Sequence, residues 1–196
     1  MQCRWFRFTG LAVVIGGIAL AFSAIPLGGY GVAQTGQVKL LAFSAKATYA
    51  RGEPITLLLV LKNTGNSPIG LSDQVTGTIQ ITSIKKDGAN LPTRTSFVLS
   101  YESLSYLLKH SVKSVNPNES VPMLLASESD PELGGEALST IQLEQQGIDQ
   151  VTYYAVSSPG TYELSIVYEI PAMPGFTLPV FQGKTNEAVV SFKVTP

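Results

Sequence analysis

The stretch Thr161–Ile170, TYELSIVYEI, decides the fold. Tyr162, Leu164, Ile166, Tyr168 and Ile170 alternate with Thr161, Glu163, Ser165, Val167 and Glu169, a period of two that belongs to a strand and not to a helix. One side of such a strand packs on a core and the other is largely wet. Pro159-Gly160 supplies a sharp turn just before it. Glu187–Val194 (EAVVSFKV) repeats the pattern with Ala188, Val190, Phe192 and Val194 inward. Ile55–Lys62 (ITLLLVLK) is apolar on both faces and reads as a central strand buried on both sides.

The same alternation continues in both directions. Val38–Phe43, Ala47–Ala50, Val75–Ile84, Leu91–Tyr101, Val121–Ala126, Leu138–Leu143 and Gln150–Val156 are strand candidates bounded by Gly, Pro, Asn, Asp or Ser clusters. Asp87-Gly88 is a hairpin pair, because glycine takes positive φ at little cost. Glu102–Val115 fits two periods. Leu104, Leu107, Leu108, Val112 and Val115 form a helical stripe, whereas Leu104, Tyr106, Leu108, His110 and Val112 alternate. A strand, or a strand with a short helix inserted, is the expectation there. The fold class that follows is an all-β antiparallel sandwich of about seven to nine strands with an insertion.

The chain has 196 residues, 44% of them hydrophobic and 14% charged, with 13 basic against 14 acidic side chains. That hydrophobicity argues against a disordered tail, and the near-zero net charge argues against a nucleic-acid or polybasic membrane binder. Arg4 and Arg7 precede an uncharged run from Phe8 to Val38 whose most apolar part is Leu11–Phe22. A basic start, an apolar middle and small residues after it read as a secretory signal. Ala21 and Ala33 end small-x-small cleavage motifs, and Ala33 is preferred because Pro26 and Gly28-Gly29 would first end the helix. Residues 1–33 are therefore read as a signal peptide, or as an uncleaved anchor, since Thr9–Gly29 is about long enough to span a bilayer. Residues 34–196 form one exported domain. Cys3 and Trp5 both lie in the leader, so that domain has no disulfide and no tryptophan.

Tyr49-Ala50-Arg51-Gly52-Glu53-Pro54-Ile55-Thr56-Leu57, followed by Asn63-Thr64-Gly65, resembles the opening signature of bacterial extracytoplasmic immunoglobulin-like modules. Ser158-Pro159-Gly160-Thr161-Tyr162 resembles their E–F corner, and Thr185–Phe192 their last strand. The resemblance implies an immunoglobulin-like or fibronectin-III-like sandwich in which the Tyr162 hydroxyl bonds back to the preceding loop. It implies little about function, because such modules serve in adhesion, carbohydrate handling, inhibition and spacing. The chain departs from the pattern in lacking a Cys pair and a core Trp. It also exceeds a seven-strand module by about 60 residues, which fall between Val75–Ile84 and Leu138.

Motifs for catalysis are sparse. His110 has no second His or Cys partner, no serine sits in a nucleophile elbow, and phosphate-loop, dinucleotide and zinc-protease signatures are missing from the sequence. Glu128, Asp130, Glu132 and Glu136 lie in a Gly/Pro-containing loop, ESDPELGGE, that offers oxygen ligands for calcium, the single candidate cofactor. The alternative is a solvated acidic loop. Tyr153 and Tyr154 are adjacent in a strand, so one of them points away from the core. Tyr154, with Phe176 and Phe181 of the long loop Pro171–Gly183, is a candidate binding residue. The alternative for Phe176 and Phe181 is that they fold back over the end of the sandwich.

The expected function is a non-catalytic binding or assembly module of the bacterial envelope, periplasmic or extracellular. It would contact a protein or glycan partner through loops, and a membrane only through its N-terminal segment. Two other readings differ in kind. A protease inhibitor would wedge Thr64–Gly70 and Pro171–Gly183 into a cleft, and a hydrolase would use a pair of the loop carboxylates.

Overall fold

The computed structural model describes residues 36–98, 101–142 and 149–196. The signal or anchor segment lies outside them. Fifteen strands and one helix form the described part, more than the seven to nine strands expected, because six strands of four residues or fewer are too short to show a period in the sequence. β1 (Val38–Ser44), β3 (Thr56–Asn63) and β9 (Ser120–Ala126) make one antiparallel sheet in the order β1-β3-β9. The opposing sheet runs β2-β15-β13-β5-β6, from β2 (Thr48–Ala50), β5 (Ile79–Lys86), β6 (Ala89–Asn90), β13 (Gly160–Ile170) and β15 (Ala188–Thr195), with β14 (Gly183–Lys184) on β13. β15 and β2 pair in parallel.

Leu57, Leu59 and Leu61 of β3 face Tyr162, Leu164 and Ile166 of β13 within a single apolar core. Tyr162 stacks on Phe192, with ring centroids 5.2 Å apart, and Tyr49 meets Phe192 edge-on at 5.6 Å. The Tyr162 hydroxyl donates to the Ser158 carbonyl at 2.7 Å, the corner that the resemblance implies. The chain is a β-sandwich.

β3 corrects the reading of Ile55–Lys62 as a strand buried on both sides. Only the odd-numbered leucines are enclosed; Leu58 is exposed and Val60 half-buried, because no second layer among the described residues covers the outer face of this sheet. β5 starts at Ile79 rather than Val75, since Val75 opens a turn whose carbonyl accepts from the Thr78 and Ile79 amides. Asp87 and Gly88 both take positive φ, 51° and 84°, in the β5–β6 hairpin, as that turn requires.

A second unit extends the sandwich. β10 (Glu128–Asp130), β11 (Gly135–Gln142), β12 (Asp149–Ala155) and β7 (Thr93–Val98) form a sheet in that order. Ser127 alone separates β9 from β10, so one stretch of chain leaves β3 and joins β11. Ser127 is buried at this switch. Its hydroxyl accepts from the Ile55 amide at 2.8 Å and donates to the buried Glu136 carboxylate at 2.5 Å.

Residues 101–115 settle the ambiguous segment. α1 (Tyr101–Ser111) is followed by β8 (Val112–Val115), which pairs with β4 (Ile69–Ser72). The helix buries Leu104 and Leu108, four residues apart, whereas Leu107, placed on the stripe by the sequence, is 51% exposed and is corrected. Tyr106 and His110 stack at 3.9 Å on the outer side of the same helix. Among the described residues, no helix is long and apolar enough to cross a membrane.

Candidate functional site

β7, β12 and β11 bring together a cleft that none of them contains alone. Arg94 stands directly opposite Tyr153 across β7 and β12, and Tyr153 opposite Ser139 across β12 and β11. Such cross-strand neighbours on one face lie within side-chain reach. The Arg94 guanidinium lies over the Tyr153 ring, 4.3 Å from its centroid. Its two terminal nitrogens then reach the β10 turn: Nη2 meets Asp130 Oδ2 at 2.6 Å and Nη1 meets Glu132 Oε2 at 2.5 Å. Nε is buried without a hydrogen-bond partner among the described residues.

Asp130 organises the turn. Its other oxygen, Oδ1, accepts from the Glu132 and Leu133 amides at 2.9 and 3.1 Å, an Asx-type arrangement that fixes the loop against β7. Burial works to raise the Asp130 carboxyl. The hydrogen bond from Arg94, those from the two amides and the Arg94 charge outweigh it and hold the group below its ordinary value. A cavity of about 380 Å³ opens beside this arrangement, lined also by Glu128, Ser129 and Ser139. Three carboxylates and two hydroxyls there surround one guanidinium and one aromatic ring, a set rich in acceptors.

The loop carboxylates are not grouped as a calcium cage would need. Asp130 and Glu132 line the cleft with Glu128 but are both paired with Arg94, and Glu136 turns inward to Ser127. Among the described residues no group of three His, Cys, Asp or Glu side chains could hold a metal ion. His110 is exposed on α1, its Nδ1 2.7 Å from the Tyr106 carbonyl.

All three candidate binding aromatics are corrected by burial. Tyr154 is 7% exposed and donates its hydroxyl to the Ile81 carbonyl at 2.8 Å. The outward member of the pair is Tyr153. Counting alternation from Val151 would turn Tyr153 inward, whereas counting from Val156 turns Tyr154 inward. β12 follows the second count, because Tyr154 pairs with fully buried Leu138. Phe176 and Phe181, 6% and 0% exposed, fold back over the end of the sandwich. Phe181 lies 6.0 Å from Tyr168, and its amide donates to the Gly70 carbonyl at 3.0 Å. The Gly70 amide in turn donates to the Pro179 carbonyl at 2.7 Å. The two loops considered for a protease wedge are thus fastened to each other at Gly70 and Pro179–Phe181, which leaves 64 and 66–68 exposed on one side and 172, 174, 175, 177 and 179 on the other.

Arg94, Tyr153 and Ser139 were not singled out by the sequence. The one usable signal was the Tyr153-Tyr154 pair, which requires an outward tyrosine.

No family model and no curated protein matches the chain. Among solved structures it is similar to the CARDB domain of a Pyrococcus furiosus protein in complex with di-metal ions, at 8% identity and a TM-score of 0.33, over 85% of this chain and 96% of that one. It is also similar to AvmM, which catalyses macrocyclization in alchivemycin A biosynthesis, at 9% identity and a TM-score of 0.33, over 82% of this chain and 89% of that one. Likenesses this weak carry no function across.

Proposed function

We propose that the protein is an exported, non-catalytic, immunoglobulin-like binding module of the bacterial cell envelope, and that its partner is a glycan held in the Arg94–Tyr153 cleft. The observation that carries this reading is the cleft itself. An aromatic ring capped by a guanidinium, ringed by carboxylates and hydroxyls, matches the acceptor and donor needs of a hydroxyl-bearing ligand better than those of an apolar peptide. Loops hold the same role in the proposal as in the sequence reading, but the contributing loop is 128–135 rather than 171–183. A hydrolytic role fits the cleft less well. Asp130 and Glu132 both pair with Arg94, and Asp130 is held below its ordinary value, the opposite of what the proton donor in carboxylate-pair chemistry requires.

The test is a glycan array probed with the purified exported domain and with Tyr153→Ala. Binding to a restricted set of glycans that Tyr153→Ala abolishes supports the reading. Binding that survives the substitution, or turnover of a bound glycan, rejects it.

A further inference from the structure

The outer face of the β1-β3-β9 sheet has no layer over it among the described residues, and its side chains are not those of a wet face. Register places Leu41, Val60 and Pro122 in one row across the sheet and Phe43, Leu58 and Leu124 in the next. Phe43 is 49%, Leu58 37% and Leu124 64% exposed. Contiguous apolar side chains of this kind mark an interaction surface more often than scattered ones do. The row beyond them is Lys39, Lys62 and Ser120. Lys39 and Lys62 stand directly opposite each other, and among the described residues neither forms an ion pair. Like charges opposed across a strand pair repel, so the arrangement favours an anionic neighbour. Pro122 brings no N–H to the β9 edge, which discourages growth of the sheet by strand addition and leaves the face as the contact.

We infer that this face docks on an anionic phospholipid surface, with Phe43, Leu58 and Leu124 entering the headgroup boundary and Lys39 and Lys62 meeting lipid phosphates. The inference rests on the exported, membrane-anchored form of the chain. In that form the apolar span Thr9–Gly29 is joined to β1 by the eight residues Tyr30–Gln37. Eight extended residues reach about 26 Å, and the linker enters the sheet beside the lysine row. Tethering at that distance makes even a weak surface contact effective, because the second binding event becomes intramolecular. An acidic protein could satisfy the lysines as well, but the tether brings the lipid to this face, and nothing comparable brings a protein.

The test uses the full chain, with Cys3→Ser and Leu124→Cys carrying an environment-sensitive fluorophore, on vesicles with and without anionic lipid. A probe at Thr95→Cys, exposed on β7, is the control. Flotation reads the anchor and the probe reads the sheet face, so the two can fail separately. The inference predicts a blue shift and protection from an aqueous quencher at position 124 only, on anionic vesicles only. Lys39→Glu with Lys62→Glu lowers the ratio of docked to undocked probe by about tenfold or more. A chain that floats while position 124 stays fully quenchable overturns the docking and leaves anchoring in place. A chain that does not float overturns both. Protection that appears without vesicles and grows with protein concentration overturns it in favour of a second copy, and protection unchanged by the lysine substitutions overturns the phosphate contact.

Discussion

Arg94 lies over the face of Tyr153, 4.3 Å from the ring centroid, because β7 and β12 pair these two residues in register. The same guanidinium clasps Asp130 and Glu132, so a single side chain joins a strand edge, an aromatic ring and an acidic turn. Arg94→Ala should therefore cost the stacking and both ion pairs. Each is worth little on a partly exposed surface, and about 1 kcal/mol in total is expected from urea unfolding. Ligand binding should fall far more than stability does, which separates a binding role from a structural one.

Acid titration offers a second check. The Asp130 carboxyl is held below its ordinary value of 3.8 in the fold, so its contribution to stability is complete above that value and is lost as pH falls through the lowered one. The urea midpoint should drop between neutral pH and about pH 3, and the drop should be shallower in Arg94→Ala, which removes the main opposing cause. Glu119 and Glu53, also lowered, by hydrogen bonds from the Asn116 amide and from Lys46 respectively, leave a residual slope of the same sign. An identical acid limb in wild type and Arg94→Ala would remove Asp130 from the account.

Ser127 bears the switch of one strand between two sheets. Ser127→Ala strands the buried Glu136 carboxylate and the Ile55 amide together. A loss of about 2–3 kcal/mol is expected, with Glu136→Gln costing less because it still accepts a hydrogen bond. Denaturant midpoints of the two variants make the comparison. Equal losses would mean that the carboxyl group left without its Ser127 partner is no special burden at this switch.

Gly70 sits where the loop 171–183 meets β4. A Cβ there would lie 2.6 Å from Leu178 Cδ1, 2.7 Å from Val112 Cγ1 and 2.9 Å from Val180 Cγ2. Gly70→Ala should cost about 1–3 kcal/mol through overpacking. Hydrogen exchange at the Phe181 amide, which donates to the Gly70 carbonyl, should accelerate more than exchange in β13. Uniform acceleration would show that the loop is not separately held.

The sandwich was legible because its strands state their period. Thr161–Ile170 and Glu187–Val194 become β13 and β15, with the expected side chains inward on both, while Val167, expected on the wet side, is buried as well, just past a register shift at Ser165/Ile166. What escaped the sequence depends on partners far along the chain. β4 and β8 are four residues each, too short to show a period, and pair with each other across 40 or more positions of the sequence, with Gly70 of β4 also bridging to Val180. Leu58 and Val60 of β3 look like core residues in the sequence, but among the described residues no second layer covers that face. The cleft was invisible for the same reason: Arg94, Asp130 and Tyr153 are spread over about 60 residues and meet through register alone. The acidic loop read as a calcium candidate because a sequence cannot show that an arginine 36 positions away already occupies its Asp130.

The most direct test of the glycan reading is an NMR titration of the labelled exported domain with an envelope glycan fraction. The reading predicts shift changes that saturate and cluster at Arg94, Ser129, Glu132, Ser139 and Tyr153. Saturating changes confined to other surfaces, or none across the fraction, would contradict it.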